Sequence, residues 1–478
     1  MRTGRPRSQH SIHEIARNLT KSLNNKPLRV LLVPDSVYWV TGTIAKSIAR
    51  FNPWIEATIA SGPVVDKLFT ERPDLISNFD LVHFICPYAS RQWLPQFREF
   101  VPCVTSHHHV SDWGLLKHNL AGDAIVAGSR EWSEDLQSRQ ADMSRVFVVP
   151  YGVDADVFRP PTPAERVSTR ARLNIPHAAT VVGFFGKNSS NDDDRKGIDV
   201  FTDAAVDLDR RLPALTILIV GPGWKGLVKS LTTAGVSCVW RPFIIDQDEL
   251  AKMYYALDFY WVTARVEGGP VPLLEAMSSE VCCLTTAVGI AREIVHDGEN
   301  ACLLPFNDAG AFAGRTALLV DEAAERMRIG QAGRQTILKE MQVRMTTPRV
   351  REVYEKALSV AAARLGRRPF DLNVLDDRVS EFEDRQSPAR DETPLSGFPE
   401  EIHARVRMLE AMAWSEHLIL YHGQRTAALK LIIQAWIRNP WSLLPPRVIL
   451  RRFMPARIVQ TVVRVKNGAQ PKLKELPG

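Results

Sequence analysis

The chain's most chemically loaded stretch is Glu267-Gly268-Gly269-Pro270-Val271-Pro272-Leu273-Leu274-Glu275-Ala276-Met277. Two glutamates are separated by seven residues, with a Gly-Gly loop after the first and a helix-forming run around the second. Glycines let a backbone approach a ligand closely, and the amides at a helix start favour phosphate or sugar oxygens. A carboxylate in the first turn of that helix, at Glu275, can accept hydrogen bonds from vicinal ribose hydroxyls. The competing reading is an ordinary Gly-rich turn with a favourable N-terminal acid.

His107-His108-His109 follows the strand-like run Val104-Thr105-Ser106. Side chains of an extended chain alternate, so the three rings cannot all face one site. A metal reading lacks a second ligand cluster, and His83, inside LVHFIC (81–86), reads as a hydrogen-bonded strand residue. Asp192-Asp193-Asp194 also invites a divalent metal, but most acidic runs are solvated loops, and no metal site is expected. The six cysteines form no C-x-x-C pair and read as small buried hydrophobes of a reducing compartment.

These residues need elements to hold them. LRVLLVP (28–34), WIEATIA (54–60), LVHFIC (81–86), CVTSHH (103–108), DAIVAGS (123–129) and VFVVPYG (146–152) are short apolar runs with helical or turn-like segments between them. A helical stretch is expected around Thr43–Phe51. The pattern restarts near residue 180 with VVGFFG (181–186), LTILIVG (215–221), CVW (238–240), FYWV (259–262) and VCCLTT (281–286). Strands that are apolar throughout and alternate with helices argue for parallel sheets covered on both faces. The fold class is therefore α/β, with two doubly wound domains facing across a cleft and joined by the Pro-rich stretch 160–163.

Residues 366–398 hold eight acidic and five basic groups and read as a linker. Beyond them, Glu400–His422 and Gln424–Ile437 read as helices, followed by a Pro-broken third. The expected organisation is a basic amphipathic segment over 1–27, a first α/β domain over 28–175 and a second over 176–345. A helix over 346–365 then returns to the first domain, ahead of an acidic linker (366–398) and a basic helical extension (399–478).

The formal charge is +6 over 478 residues, and its distribution is uneven. Residues 1–29 carry seven basic groups and one acidic, residues 441–478 carry eight and one, and the body between sums to −7. A nucleic-acid enzyme should line a central groove with basic groups, so no nucleic-acid partner is expected. Basic ends suit an anionic surface, and the tail's Trp414, Trp436 and Trp441 beside apolar runs suit a lipid interface. A self-packed helical domain is the equal alternative. No apolar run reaches the roughly 18 residues of a membrane span, and residues 1–30 lack the apolar core of a secretory signal.

The Glu267–Met277 segment resembles the E-x7-E region of family 4 retaining glycosyltransferases, which have the GT-B fold. FDLVHF (79–84), VTSH (104–107), DAIVAGSREWSEDL (123–136), VVPYGVDADVFRP (148–160), VVGFFGK (181–187), RKGIDVF (195–201) and EIVHDGENACLLPFND (293–308) are similar to further segments of that family, in its order. The likeness runs over residues 28–365. It implies that Lys187 and Lys196, with Arg195, hold the donor diphosphate, and that Glu267 orients a sugar hydroxyl and Glu275 the ribose. By the same resemblance His107 is the active-site histidine, contacting the donor sugar. Gly268, Gly269, Pro270, Gly289, Ile290 and Glu293 are donor-loop contacts, and Gly42 and Thr43 lie on the acceptor-side loop. The chain departs from the family in its long acidic 188–194 loop, in a single Gly at position 42, and in Val288, Glu280 and Ala301 where Gly is common.

The resemblance implies a metal-independent retaining hexosyltransferase with no cofactor, the nucleoside-diphosphate sugar being a substrate. The acceptor is expected to be a glycan or a lipid-linked sugar, in surface-polysaccharide assembly. The expected location is cytoplasmic, peripheral on the inner face of the plasma membrane through residues 399–478. Alternatives are a nucleotide-sugar epimerase of the same fold and a non-catalytic sugar-nucleotide sensor or scaffold with a partner-binding helical tail.

Overall fold

The computed structural model describes residues 26–86, 88–108, 117–188, 192–242, 244–366, 388–389, 392–422 and 425–438. The amphipathic helix expected within 1–27, the third histidine His109 and the basic run 441–478 lie outside them. The chain divides into a unit over 1–398 and a second over 399–478.

The larger unit contains two six-stranded parallel sheets. The first has the order β2-β1-β3-β4-β5-β6, from β1 (Leu28–Val33), β2 (Ile55–Ile59), β3 (Leu81–Phe84), β4 (Cys103–His107), β5 (Ala124–Ala127) and β6 (Val146–Val148). The second has the order β12-β11-β10-β7-β8-β9, from β7 (Thr180–Phe185), β8 (Leu215–Val220), β9 (Cys238–Arg241), β10 (Phe259–Val262), β11 (Cys282–Thr285) and β12 (Cys302–Leu303). Central strands such as LTILIV are buried at every position, because helices cover both faces. Each sheet reverses its winding beside its first strand, between β1 and β3 and between β7 and β10. Loops diverge there at the carboxyl ends of the strands and leave a crevice, where open α/β sheets bind ligands.

The helices that matter below are α1 (Val40–Phe51), α2 (Arg130–Ser138), α3 (Asp192–Lys196), α4 (Ile198–Arg211), α5 (Gln247–Tyr254), α6 (Val271–Ser278), α7 (Ala291–Ile294) and α8 (Val350–Leu365). The chain crosses between domains twice, and the crossings are laced together. Val153 N bonds Met341 O at 2.9 Å, and Val343 N bonds Val153 O at 3.0 Å. Gly152 sits where they touch, since a Cβ there would lie 2.5 Å from Val343 Cα. After the second crossing α8 packs on the first sheet. Its Tyr354 is fully buried against Trp54 and His83, and Arg364 reaches the buried Asp123 carboxylate at 2.8 Å.

The segment expected to be an acidic linker is more than a tether at its end. Pro394 O accepts a bond from Ile59 N at 2.9 Å, Leu395 forms an antiparallel bridge with Thr58, and Gly397 N bonds Thr58 Oγ1 at 2.7 Å. Phe398 closes the dock by meeting Phe79 edge to face at 5.7 Å. β2 is the edge of its sheet, so these residues cover backbone groups that would otherwise invite pairing with another chain. The apolar Leu395 and Phe398 are both buried in this dock.

The second unit is described as a pair of helices, α9 (Glu400–His422) and α10 (Arg425–Arg438), packed through Val406, Trp414, Leu418, Ala428 and Leu431. Among the described residues no helix is long and apolar enough to cross a membrane.

Candidate active site

The site forms at the β7–β10 switch point. β7 is followed by Gly186, whose φ is +145°, and Trp224 Nε1 donates to its carbonyl at 2.7 Å. Gly221 packs so closely that a Cβ there would fall 1.8 Å from Gly186 O. Lys187 follows, half-buried, with no ion pair among the described residues. The chain then returns through α3 to Gly197, whose φ of +62° starts α4.

The Arg195-Lys196-Gly197 turn is stitched to the exit of β10. Thr263 Oγ1 donates to Lys196 O at 3.0 Å, and Arg265 N donates to Arg195 O at 2.8 Å. Both cations are thereby aimed at one oxygen. Lys196 Nζ lies 3.0 Å and Arg195 Nη1 2.9 Å from Glu267 Oε1, and all three side chains are at most 17% exposed. Among the described residues two half-buried cations thus meet at one carboxylate, an arrangement that suits an anionic ligand. Asp194, just ahead of them, is almost fully exposed and pairs with Arg265. Among the described residues no group of three or more His, Cys, Asp or Glu is arranged to hold a metal.

Beyond Glu267 the Gly-Gly loop runs against the first domain. A Cβ on Gly268 would lie 2.0 Å from His108 O, so only glycine fits that approach. Pro270 precedes α6, and Pro272 within its first turn has no N–H. Leu273 N is used by Pro270 O at 2.8 Å, so the amides that can meet an anion are those of Gly268, Gly269 and Val271.

Glu275 is not in the first turn of α6, as expected from the sequence, but in the second. Loop geometry occupies 267–270, and the helix starts at Val271. Glu275 is buried, and Tyr254 Oη donates to its Oε2 at 2.5 Å. Burial pushes its carboxyl up to about 7, and the Tyr254 hydrogen bond opposes that rise. The two glutamates therefore differ sharply: Glu267 is held by two cations and Glu275 by a neutral phenol.

His107 lies elsewhere than expected. As the last residue of β4 its ring turns toward α2, with Nε2 3.2 Å from Asp135 Oδ2 and its ring edge to face with Trp132. Strand alternation sends the next residue the other way. It is His108 whose backbone meets Gly268, while its ring lies 3.0 Å from Tyr151 Oη. His83 is fully buried between Ser106 Oγ (2.9 Å) and Tyr354 Oη (3.0 Å), and burial depresses it to about 3, so it is a neutral strand residue.

Gly42 and Thr43 are in α1 rather than in the loop before it. Asp35, bonded to Thr41, closes the turn ahead of the helix, and Gly42 lets that turn fold back: a Cβ would lie 2.4 Å from Ser36 O. Thr43 meets the second domain through Gln247 Nε2 at 3.1 Å. It also lines a mostly apolar cavity of about 50 Å³ with Ile44, His83, Ser106, Tyr151 and Val271.

Gly289, Ile290 and Glu293 gather at the Gly-Gly loop. Gly289 has a φ of +49°, a Cβ on it would lie 2.7 Å from Glu267 O and 2.8 Å from Gly268 O, and Ile290 lies beside Gly269. Gly289 N and the Glu293 carboxylate are bonded by α2 of the first domain. Sequence reasoning missed Tyr254, Glu131 and Trp132. Each is an ordinary helix residue by pattern, and only tertiary packing brings it to the site.

Residues 173–336 match the family model described as glycosyl transferases group 1. That span lies within the second domain, which resembles a group 1 glycosyltransferase domain. Lys187, Arg195, Lys196, Glu267–Pro270, Glu275, Gly289, Ile290 and Glu293 all fall inside the matched segment, whereas Gly42, Thr43 and His107 lie outside it. The chain is 30% identical over 223 residues to a D-inositol 3-phosphate glycosyltransferase of Xylanimonas cellulosilytica, covering 45% of this chain and 52% of that protein. It is likewise 30% identical over 273 residues to one of Kineococcus radiotolerans, covering 52% and 60%. The chain spans about half the length of the curated relatives it matches. Anabaena Alr3699/HepE, solved in complex with UDP and glucose, superposes with a TM-score of 0.57 at 17% identity, over 68% of this chain and 99% of that one. Sucrose-phosphate synthase from Thermosynechococcus elongatus gives 0.54 at 16%, over 70% and 99%. The two sheets thus share the two-domain GT-B fold of these structures.

Proposed function

We propose that the protein is a metal-independent, retaining glycosyltransferase of family 4 that moves a sugar from a nucleoside-diphosphate sugar to an acceptor hydroxyl of a glycan or a lipid-linked sugar. The observation that carries this reading is the convergence of Arg195 and Lys196 on Glu267 at the β7–β10 switch point. A departing nucleoside diphosphate gathers negative charge, and cations shielded from water stabilise it more strongly than exposed ones. With donor bound, Lys196, Arg195 and Lys187 turn to the diphosphate, and Glu267 is freed to orient a sugar hydroxyl. Glu275, deeper along α6, accepts the ribose hydroxyls. The names of the relatives and the UDP and glucose held by the Anabaena protein support a nucleotide-sugar donor.

The acceptor enters from the first domain, beside the cavity under α1, and its hydroxyl attacks on the face from which the diphosphate leaves. Family 4 membership rests on the E-x7-E spacing and the order of the surrounding segments. The seven-to-one excess of basic over acidic groups at 1–29, and eight-to-one at 441–478, supports reversible docking at an anionic cytoplasmic membrane surface. The test is a thermal-shift panel of nucleoside diphosphates and their sugars on the full chain. One base should raise the melting temperature, since at a hundred times Kd a ligand adds about 2.7 kcal/mol. With that donor, chelator should leave transfer intact and the product should keep the donor's anomeric configuration. A panel without any shift refutes the reading.

A further inference from the structure

Three consecutive residues at the start of α2 bind three different points of the second domain. Arg130 N donates to Glu293 Oε1 at 2.6 Å, placing a carboxylate at the positive end of the helix. Glu131 Oε2 accepts from Gly289 N at 2.6 Å. Trp132 Nε1 donates to Glu267 O at 3.0 Å. One turn further on, Glu134 approaches Arg292 at 3.4 Å. The turn is rigid on its own side. Ser129 caps α2, and His107 at the end of β4 holds Asp135 at 3.2 Å and the Trp132 ring at 5.6 Å.

The two loops it grips are a single packed body. A Cβ on Gly289 would lie 2.7 Å from Glu267 O and 2.8 Å from Gly268 O, so neither loop shifts without the other. Trp132 also fixes the carbonyl of the residue whose side chain faces Arg195 and Lys196. A change in that peptide re-aims the Glu267 carboxylate against its cations. The Glu131 bond is half-buried: partial burial raises its carboxyl, while the Gly289 amide pulls it back.

We propose that Arg130–Trp132 is an interdomain latch in which Glu131 and Trp132 are positioning residues for the anion site, with His107 as the anchor that fixes the latch to the first sheet. The anion's being a nucleotide rests on the reading above; the latch does not. The experiment compares wild type with Glu131→Ala, Glu131→Gln and Trp132→Phe in the full chain. Hydrogen exchange is followed without ligand in peptides spanning 264–270 and 286–295, and UDP, GDP and ADP binding is measured by calorimetry. Glu131→Ala should speed exchange in both peptides, although its own bond is to Gly289. Trp132→Phe keeps an aromatic ring, loses the indole N–H and should do the same. Glu131→Gln retains an acceptor oxygen and should stay near wild type. Affinity for whichever nucleotide the wild type binds should fall about tenfold in Glu131→Ala and Trp132→Phe, as for one lost charge-assisted or buried hydrogen bond, and be restored in Glu131→Gln. Unchanged exchange over 264–270 in both Glu131→Ala and Trp132→Phe overturns the latch, as does retained nucleotide affinity in both. If the wild type binds none of the three nucleotides, the nucleotide reading fails and the exchange result alone decides the latch.

Discussion

Glu275→Gln should stabilise the protein at alkaline pH while impairing it as a binder. The Glu275 carboxyl titrates at about 7 in the folded chain against an ordinary 4.5, because burial disfavours its charge. Its surroundings contribute no competing titration between those values. Tyr254, Tyr260 and Cys283 face the same pocket, and burial holds all three well above their ordinary ranges. A raised folded pKa means that the folded chain binds this proton more tightly than the unfolded chain. The resulting stability is fully present below pH 4.5 and is lost as the pH rises through 7. At 1.36 kcal/mol per pKa unit, the loss amounts to about 3 kcal/mol. A glutamine stays neutral throughout and keeps an oxygen for Tyr254 Oη.

The two proteins should therefore be nearly equal in stability at pH 5 and diverge to about 2–3 kcal/mol in the variant's favour at pH 8. Urea unfolding at half-unit pH steps, followed by tryptophan fluorescence, gives the difference curve. Nucleotide affinity at pH 8 should fall by ten- to a hundredfold, since a carboxylate accepts two ribose hydroxyls more strongly than an amide oxygen does. A stability gap that does not change with pH, or a variant less stable than wild type at pH 8, refutes the assignment of Glu275 as a strained buried acid. The companion Tyr254→Phe removes the bond that favours the charged form. It should move the midpoint of the pH dependence upward by about one unit, the equivalent of one charge-assisted hydrogen bond.

Lys196→Ala leaves Glu267 with Arg195 alone and should lower transfer by about 10²–10³ if charge on the leaving group is what Lys196 opposes; single-turnover rates with saturating donor measure it. Gly268→Ala drives a methyl into His108 O and should abolish transfer while the second domain keeps its fold, a separation visible by circular dichroism beside the activity assay. Phe398→Ala removes a buried ring that meets Phe79 edge to face and should cost the first domain about 3–5 kcal/mol, read from the urea midpoint; a change near zero would mean that 394–398 is a tether after all.

Much of the scaffold was legible because its strands are apolar on both faces. Runs such as LTILIV and FYWV have to be central parallel strands, and their restart near residue 180 divides the chain into two sheets. The nearness of Lys187 and Glu267 was legible for the same reason, since they follow β7 and β10, the strands that flank the switch point. The failures have a common physical origin in features that depend on where an element begins. His107 and His108 exchange faces with a one-residue change in where β4 ends, and nothing in Val104-Thr105-Ser106 specifies that end. Gly42 and Glu275 moved for the analogous reason at helix starts: proline and glycine neighbours permit several starting points, and packing selects one. The docking of Leu395 and Phe398 was hidden because the composition of an acidic segment does not reveal two apolar anchors at its end.

The spacing of the two glutamates carries less information than their depth. Both stand on one loop and helix, and in the sequence they look like a matched pair. Glu267, at the loop, meets Arg195 and Lys196; Glu275, four residues into the buried face of α6, meets only a phenol among its described hydrogen-bond partners. The first is therefore an ionised group whose partners an incoming anion can take over. The second is a carboxyl whose charge is costly until a ligand offers it hydrogen bonds. A donor that supplies both, diphosphate to the cations and ribose hydroxyls to Glu275, relieves two unfavourable states at once. A free phosphate or a nucleoside alone relieves one. Binding of a nucleoside diphosphate should then be tighter than the sum of the parts predicts, and the excess should shrink in Glu275→Gln, where only the cation half remains.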